Sequence, residues 1–537
     1  MAIHNYLVEV PKTKTSIKTA KNGTNYVYYS VETYRNKNNT PTHRERAIGK
    51  LNPDDPTTMY PNDNYLELFG APEKIEPIQT PKAHLAAETV FLKEIAEMSG
   101  LEEVLKKVFP DYYREILNLA IYIVKKGGVM MNLEDYYSKH VLAYDLVPHS
   151  HQLNKFFEEL TIDRHWSFFQ EWNKYLETDT SYLAYDVTSV STYSQNIPIA
   201  ERGYNRDGEK LDQINFGTFF DPDKCLPVAY EVYNESIPDK THFTSSLELS
   251  KILNFKDVCW VLDGGFMTEG NLEQLEEIEE EKFIMMAPLT QNKFKNKVLD
   301  EVFDLEKVDN YCYSTAANGK QVEIEINGSE YQLYLFREPM RAAEEKQTIY
   351  QRIKQEDETL AKQKGIKKKS FSSKYHNLEQ VKGELKDYQK NNEKIEENLE
   401  LAGTFAILTK GMDKHPDQIL AIYRRRNEIE GFFNGMKNTL DTDRLRIHLI
   451  SAMDGKMFVT FIALIIHSYL LNHERSDMPS DRNAPTVKAL LLELEKITLY
   501  KYQGRKGVMA PLTKKQRDIL EDYGINPDEF IEKVCEF

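Results

Sequence analysis

Cysteine is scarce in this chain, and its scarcity narrows the chemistry available. The four cysteines, Cys225, Cys259, Cys312 and Cys535, are scattered through 537 residues with no Cys-x-x-Cys pair among them. Neither a disulfide framework nor a zinc ribbon can be drawn from them, so they read as reduced packing residues of a cytoplasmic protein. The opening Met-Ala-Ile-His-Asn-Tyr lacks a basic stretch leading into an apolar one, so no secretory signal is expected. Long hydrophobic runs are missing as well. The most apolar stretch, Met457 to Ile466, gives way to His467 and Ser468; at about half the length a bilayer span needs, it predicts a buried core helix. His149-Ser150-His151 invites a metal but has no Cys or third ligand nearby, and reads as a polar loop.

Positive charge is also in short supply. Eighty-five acidic residues outweigh 69 basic ones, for a net charge of -16. Taken whole, that balance disfavours a nucleic-acid partner. Phosphate binding is local, however, whereas net charge is a global sum. Residues 1–60 carry nine Lys or Arg against five Asp or Glu; Lys362, Lys364, Lys367, Lys368, Lys369 and Lys374 form a second basic stretch, and Arg424, Arg425 and Arg426 a third. Acid is concentrated elsewhere, at 273–281 and 393–400.

Hydrophobic content of 41% and aromatic content of 11% suit a soluble, well-packed chain too long for one core. Residues 1–85 look like a small β-rich domain: Asn22-Gly23 is a strong hairpin turn, and Tyr26 to Val31 suits the strand after it. From 86 to 176 the periodicity is helical, broken at Ser99-Gly100, Pro110, Gly127-Gly128 and Pro148. From 177 to 290 the texture changes. Leu183, Tyr185 and Val187 alternate with Ala184, Asp186 and Thr188, as on a two-faced strand. Strands also fit 213–220 and 227–233, a helix 242–253, and Val258 to Leu262 is the continuous apolar run of a strand covered on both faces. A helix near 269–281 and a strand at 283–286 follow.

Residues 291–400 interrupt this core as an insertion. Strands fit 311–315, 322–326 and 331–336, with Asn327-Gly328 between the last two. The charged stretch 340–400 suggests a hairpin of exposed helices bent at 362–374. The core then resumes over 401–475, and 476–537 reads as a helical region. Three hairpin-linked strands, then helix, strand, helix and strand, is the order of an α/β ribonuclease-H-like mixed sheet.

In that order Asp186 lies in the first strand and Asp263 ends the fourth, its neighbour. Two carboxylates held together repel unless a hard cation joins them, and magnesium suits an all-oxygen site. Asp-Gly-Gly after an apolar strand is equally what a plain turn looks like. A third carboxylate would come from the helix predicted over 416–440, where Glu428 and Glu430 compete. Advancing about 100° per residue from Tyr423 puts Arg426 near 300°, Glu430 near 340° and Lys437 near 320°. Phe432, Met436, Ile429 and Phe433 fill about 180° to 280°, and Glu428 falls near 140°, off the polar stripe. Glu430 is therefore the candidate. An ordinary solvated face with Arg426–Glu430 pairing would show the same stripe.

The spacing Tyr423-x2-Arg426-x3-Glu430-x6-Lys437 decides between them, because it resembles the signature of a large group of bacterial DDE insertion-sequence transposases. Tyr185-Asp186-Val187-Thr188-Ser189 is similar to their first-Asp strand. Gly203-Tyr204-Asn205-Arg206-Asp207, with Gln213, Pro227, Asn234, Asp239 and Thr241, resembles the loop and strands after it. Asp186 and Asp263 are 77 residues apart and Asp263 and Glu430 are 167 apart, and the group carries a β-rich insertion in that second gap. The likeness spans about 180–450. Gly264 departs from it, since many relatives have Arg after the second Asp.

The resemblance implies an enzyme that cuts element ends and joins them to target DNA. It implies two Mg2+ ions (Mn2+ substituting) on Asp186, Asp263 and Glu430, with Tyr423, Arg426 and Lys437 on terminal phosphates. Further DNA contacts are expected from Arg424, from Lys367, Lys368 and Lys369, and from Arg44 and Arg46 in the amino-terminal hairpins. The implied partners are double-stranded DNA, as inverted repeats and target, and a second copy of the chain in a homodimer that synapses two ends. The implied location is the bacterial cytoplasm, at the nucleoid. The rivals are a nuclease that cuts without joining and a non-catalytic transposase-derived DNA-binding protein; the acidic triad speaks against the latter.

Overall fold

The computed structural model describes residues 3–21, 23–71, 82–177, 182–202, 211–253, 255, 258–277, 282–368, 370–447, 449–477, 486–501 and 506–537. Asn22 of the expected hairpin turn, the 203–207 segment of the resemblance and Lys369 lie outside the described residues, as does the side chain of Asp239. Two compact units emerge: Met1–His84 with Thr498–Ala510 and Cys535–Phe537, and Leu85–Ile497 with Pro511–Val534.

In the first unit, β1 (Val8–Glu9), β2 (Thr15–Thr19), β3 (Asn25–Arg35), β4 (Pro41–Leu51) and β5 (Thr58–Pro61) form an antiparallel sheet in the order β1-β5-β4-β3-β2. Gly23 turns β2 into β3 at φ 81, a backbone setting that glycine adopts without strain. Val27, Ile48 and Met59 bury completely and share a core with Tyr6 and Val8. The short helix α1 (Asp63–Phe69) starts at Asn62, whose side chain accepts from the Tyr65 amide. Strand β6 (Lys82–Leu85) follows.

The second unit begins with six helices: α2 (Ala87–Met98), α3 (Leu101–Val108), α4 (Tyr113–Lys126), α5 (Leu133–Lys139), α6 (Leu153–Glu159) and α7 (Ile162–Leu176). Then come β7 (Tyr182–Thr192), β8 (Asp212–Asp221), β9 (Leu226–Asn234), α8 (Asp239–Ile252), β10 (Cys259–Leu262), α9 (Glu269–Glu277) and β11 (Lys282–Ala287). They are followed by α10 (Asn292–Leu305), β12 (Tyr311–Cys312), β13 (Ala317–Ile326), β14 (Ser329–Arg337) and α11 (Pro339–Gln363). After β15 (His376–Val381), β16 (Glu384–Lys390) and α12 (Asn392–Glu400), the chain re-enters the sheet as β17 (Thr404–Lys410). The helices α13 (Pro416–Arg425), α14 (Asn427–Asn434), α15 (Met453–Asp477) and α16 (Val487–Glu495) complete this part.

The fold is mixed α/β, built on a nine-stranded sheet in the order β12-β13-β14-β17-β11-β10-β7-β8-β9. Strand β10 runs parallel to both β7 and β11, and the remaining pairs are antiparallel. All four β10 residues are buried, as their unbroken apolar run predicts. The expected interruption of the core is different in kind: β12, β13 and β14 are not separate from the sheet, since β14 pairs with β17 and extends it. Residues 340–400 do hold two helices, α11 and α12, but what joins them is more than a bend. Residues 376–390 form a β-hairpin turning at Lys382 and Gly383, with φ 51 and 77. Its Leu385 is fully buried and clusters with Leu360 and Phe371, so a few apolar side chains outweigh the charged texture.

One helix organises the second unit. The α15 side chains Phe458 and Phe461 pack against the rings of Phe109, His165, Phe168, Phe169 and Tyr230, with centroids 4.4 to 5.4 Å apart. By length and composition the segment Ile450–His473 could cross a membrane, but 83% of its most apolar window is buried inside the protein. It is a core helix. The expected all-helical carboxyl terminus also contains β18 (Thr498–Lys501) and β19 (Val508–Met509), which join β6 in a three-stranded sheet of the first unit. Helices α17 (Lys514–Asp522) and α18 (Pro527–Glu536) end the chain.

Candidate active site

The register of the central strands brings the two aspartates to one edge. Leu262 of β10 pairs with Tyr185 of β7, so Asp263 and Asp186 each follow that pair by one residue. Local backbone pins both: Asp186 Oδ1 accepts from the Val187 amide at 2.8 Å, and Asp263 Oδ1 accepts from the Gly264 amide at 2.7 Å.

The third carboxylate arrives on α13 and α14. Proline at the first turn and a capping box between His415 and Gln418 start α13. Ile419, Leu420, Ile422, Ile429 and Phe432 bury one side of the helix pair, and Phe432 meets Phe220 of β8 at 5.9 Å between ring centroids. The helices join at Arg426, which is only 5% exposed. Its Nη2 lies 3.6 Å from Asp186 Oδ2 and 3.4 Å from Asp263 Oδ2, while Nη1 lies 3.6 Å from Glu430 Oε1. One guanidinium thus contacts all three acids that the sequence singled out. Tyr423 is buried beside it, its ring centroid 6.0 Å from the Arg426 guanidinium carbon.

Charge explains how this cluster titrates. Burial works against the Arg426 cation, but Asp186, Tyr423, Asp263 and Glu430 hold its pKa above the ordinary arginine value. Burial raises the Tyr423 phenol, opposed by Arg426 and reinforced by Asp263, Asp186 and Glu430. Tyr423 is therefore a neutral hydroxyl throughout the working pH range. Three carboxylates against one guanidinium leave surplus negative charge on an all-oxygen donor set. That set fits hard divalent cations and would suit thiophilic ones poorly.

A family model described as the transposase DDE domain matches residues 177–466. That is more than half of the chain and includes all three acids. The chain belongs to this family. No curated protein matches it. Among solved structures, the cryo-EM structure of the piggyBac transposase synaptic complex with hairpin DNA aligns with 75% of this chain and 70% of that one, at 10% identity and a TM-score of 0.32, below the level that marks a common fold.

The other expected contacts of this DDE-family protein fall in several places. Lys437, half-buried, sits on the π-helical turn Gly435–Thr439 that continues α14. Arg424 turns to structural work, donating to the Thr315 carbonyl and to Glu338, both at 2.6 Å. The Lys367 backbone forms a single antiparallel β-bridge with Glu384, and the Lys368 amide donates to the Gly383 carbonyl at 2.9 Å, so the main chain of both braces the β15–β16 hairpin. In the first unit, Arg44 is exposed opposite Glu32, and Arg46 contacts Asn64 at 2.7 Å and Glu67 at 2.8 Å. His149 and His151 stack at 5.7 Å, with His149 Nδ1 3.4 Å from Glu134.

Sequence reasoning missed the central position of Arg426, which it assigned to DNA phosphates or to simple pairing along the helix. The two aspartates precede it by 240 and 163 residues, and no local pattern reports a contact at that range.

Proposed function

We propose that this protein is a bacterial insertion-sequence DDE transposase that cuts DNA at its element's inverted repeats and joins the freed ends to target DNA, working in the cytoplasm as a homodimer. The sheet order β11-β10-β7-β8-β9, with its single parallel trio, supports reading the core as ribonuclease-H-like. On this reading the remaining parts are a β-rich end-binding domain over 1–85, a helical domain over 86–176, an inserted stretch over 291–400 whose strands β12 to β14 extend the core sheet, and a tail over 476–537 of helices with the short strands β18 and β19. The observation that carries the proposal is the convergence of Asp186, Asp263 and Glu430 on one buried guanidinium at 3.4 to 3.6 Å.

These three carboxylates would hold a pair of Mg2+ ions, which supply Lewis acidity to activate water or a 3′-hydroxyl and to neutralise the leaving oxygen. Asp186 and Asp263 are held by the backbone amides of Val187 and Gly264 and need little reorganisation to bind. Arg426 already lies among the acids, and its planar fork suits a phosphate that enters the same cleft. Tyr423, kept neutral, offers a hydroxyl donor, and Lys437 a point charge farther along the helix.

The test uses labelled inverted-repeat ends with Mg2+ and a supercoiled target. The unsubstituted protein should yield joined products, whereas Asp186→Asn, Asp263→Asn and Glu430→Gln should each lose roughly three or more orders of magnitude in cleavage. Hydrolysis without joining would favour a nuclease. Cleavage by Asp186→Asn at the normal rate would remove the catalytic assignment.

A further inference from the structure

Apart from the DDE acids, a second group of ligand-type side chains converges inside the second unit. Glu88 of α2, His140 just after α5 and Glu495 at the end of α16 each offer one ligand atom, all within 4.8 Å of one another. Glu88 is 1% and His140 6% exposed, while Glu495 is partly open to solvent.

Hydrogen bonding determines the imidazole tautomer. His140 Nδ1 lies 3.0 Å from the Tyr136 carbonyl oxygen. A carbonyl only accepts, so Nδ1 donates and the neutral ring carries its lone pair on Nε2. The Tyr136 ring stacks on the imidazole at 4.0 Å and fixes its plane. Nε2 lies 3.6 Å from Glu88 Oε1 and 3.7 Å from Glu495 Oε1, with no hydrogen-bond partner among the described residues. Glu88 Oε2 is likewise buried without a donor.

Two lysines attend the cluster without completing it. Lys125 donates to Glu88 Oε1 at 2.5 Å and Lys126 to Glu495 Oε1 at 2.7 Å. They offset the carboxylate charges but leave the imidazole lone pair facing oxygen. An ion with bonds of about 2.0–2.2 Å to nitrogen and oxygen sets neighbouring tetrahedral ligands about 3.4 Å apart, near the two separations seen here. Orientation of the ligating imidazole through a backbone carbonyl is the outer-shell arrangement that such sites need. A cavity of about 280 Å3, lined by Glu88, Lys125, Lys126, Asp441, Lys488 and Glu495 among others, opens on the carboxylates and leaves room for a water ligand.

We propose that Glu88, His140 and Glu495 form a second metal site, distinct from the DDE acids, that takes one borderline dication of the zinc class. Its role is that of a staple: it ties α2, the turn after α5 and α16, which are distant in sequence. The cavity wall also contains Thr439 and Asp441, so the site lies behind the end of the π-helical turn that carries Lys437.

The test uses the full chain with Asp186→Asn, Asp263→Asn and Glu430→Gln, so that all three DDE acids are removed. After chelation and desalting, Zn2+ is added, excess is removed and retained metal is counted by plasma mass spectrometry; Co2+ is then used as a spectroscopic probe. The expected result is one Zn2+ per chain, a rise in Tm on loading, and the visible absorption of tetrahedral Co2+. Glu495→Gln, at a partly open position, should keep the fold by circular dichroism yet bind Zn2+ at least about tenfold more weakly. His140→Gln should abolish retention. No retained zinc in the parent, or equal retention by folded Glu495→Gln and His140→Gln proteins, would overturn the proposal.

Discussion

Arg426→Met should tighten, not weaken, the binding of Mn2+ to the DNA-free protein. The guanidinium stands 3.4 to 3.6 Å from three carboxylate oxygens. At that range a charge pair is worth about 1 kcal/mol in water and about 5 kcal/mol at an effective dielectric constant of 20. Asp186 is 14% exposed and sits toward the upper value; Asp263 and Glu430, at 49% and 66%, are screened toward the lower one. A metal must contend with this cation for the same oxygens, whereas methionine fills similar volume without charge. The opposing effect is loss of preorganisation, and it is small, because the Val187 and Gly264 amides hold the two aspartates independently of Arg426. Net affinity should therefore rise by roughly 1–3 kcal/mol, or about fivefold to about 150-fold. Calorimetric titration of Mn2+ in a Glu495→Gln background reads this directly. Unchanged or weaker binding in a folded Arg426→Met protein would refute the reasoning, and on the proposed function strand transfer should fall in the same variant, since methionine offers no donor to a phosphate.

Three further outcomes follow from other parts of the molecule. Lys437→Ala should weaken binding of end DNA, seen as a higher Kd and a shallower salt dependence in fluorescence anisotropy, while single-turnover cleavage at saturating DNA changes far less than in the acid variants. Gly455→Ala should destabilise strongly, because the new methyl carbon would stand 2.1 Å from the Phe157 carbonyl oxygen; a loss of about 1–3 kcal/mol or more is expected in urea unfolding, and an unchanged midpoint would mean that α6 and α15 do not approach as described. Lys456 is buried and donates to the Leu445 and Arg446 carbonyls; burial, aided by Arg446, pushes its amine down to about 7 from an ordinary 10.5. Between those values the unfolded chain binds a proton that the folded chain lacks, so this group makes stability rise as pH climbs through the window. Lys456→Met should flatten that rise, read as the difference in urea midpoint between about pH 7 and pH 9 for the two proteins.

The expectations that rested on short-range periodicity hold for particular elements. The apolar run ending at Leu262 is the central strand β10, the alternation around Tyr185 is β7, and the Met457–Ile466 stretch is the buried middle of α15. The β15–β16 hairpin escaped notice because its strands are mostly polar and only Leu385 is fully buried. Strands β12 to β14 were visible as strands, but nothing in their own residues says that β14 pairs with β17.

Sequence alone determined which residue types lie where along the chain: three acids in order, a polar stripe on one helix, apolar strands to carry the first two. Those are properties of neighbours within a few residues, where backbone geometry dictates which side chains share a face. Tertiary structure decided which of these distant pieces meet. Strand register set Asp186 beside Asp263, helix packing laid Arg426 between them and Glu430, and three separate elements closed around His140. Such meetings depend on burial and packing over hundreds of residues, a scale on which no local pattern carries the information.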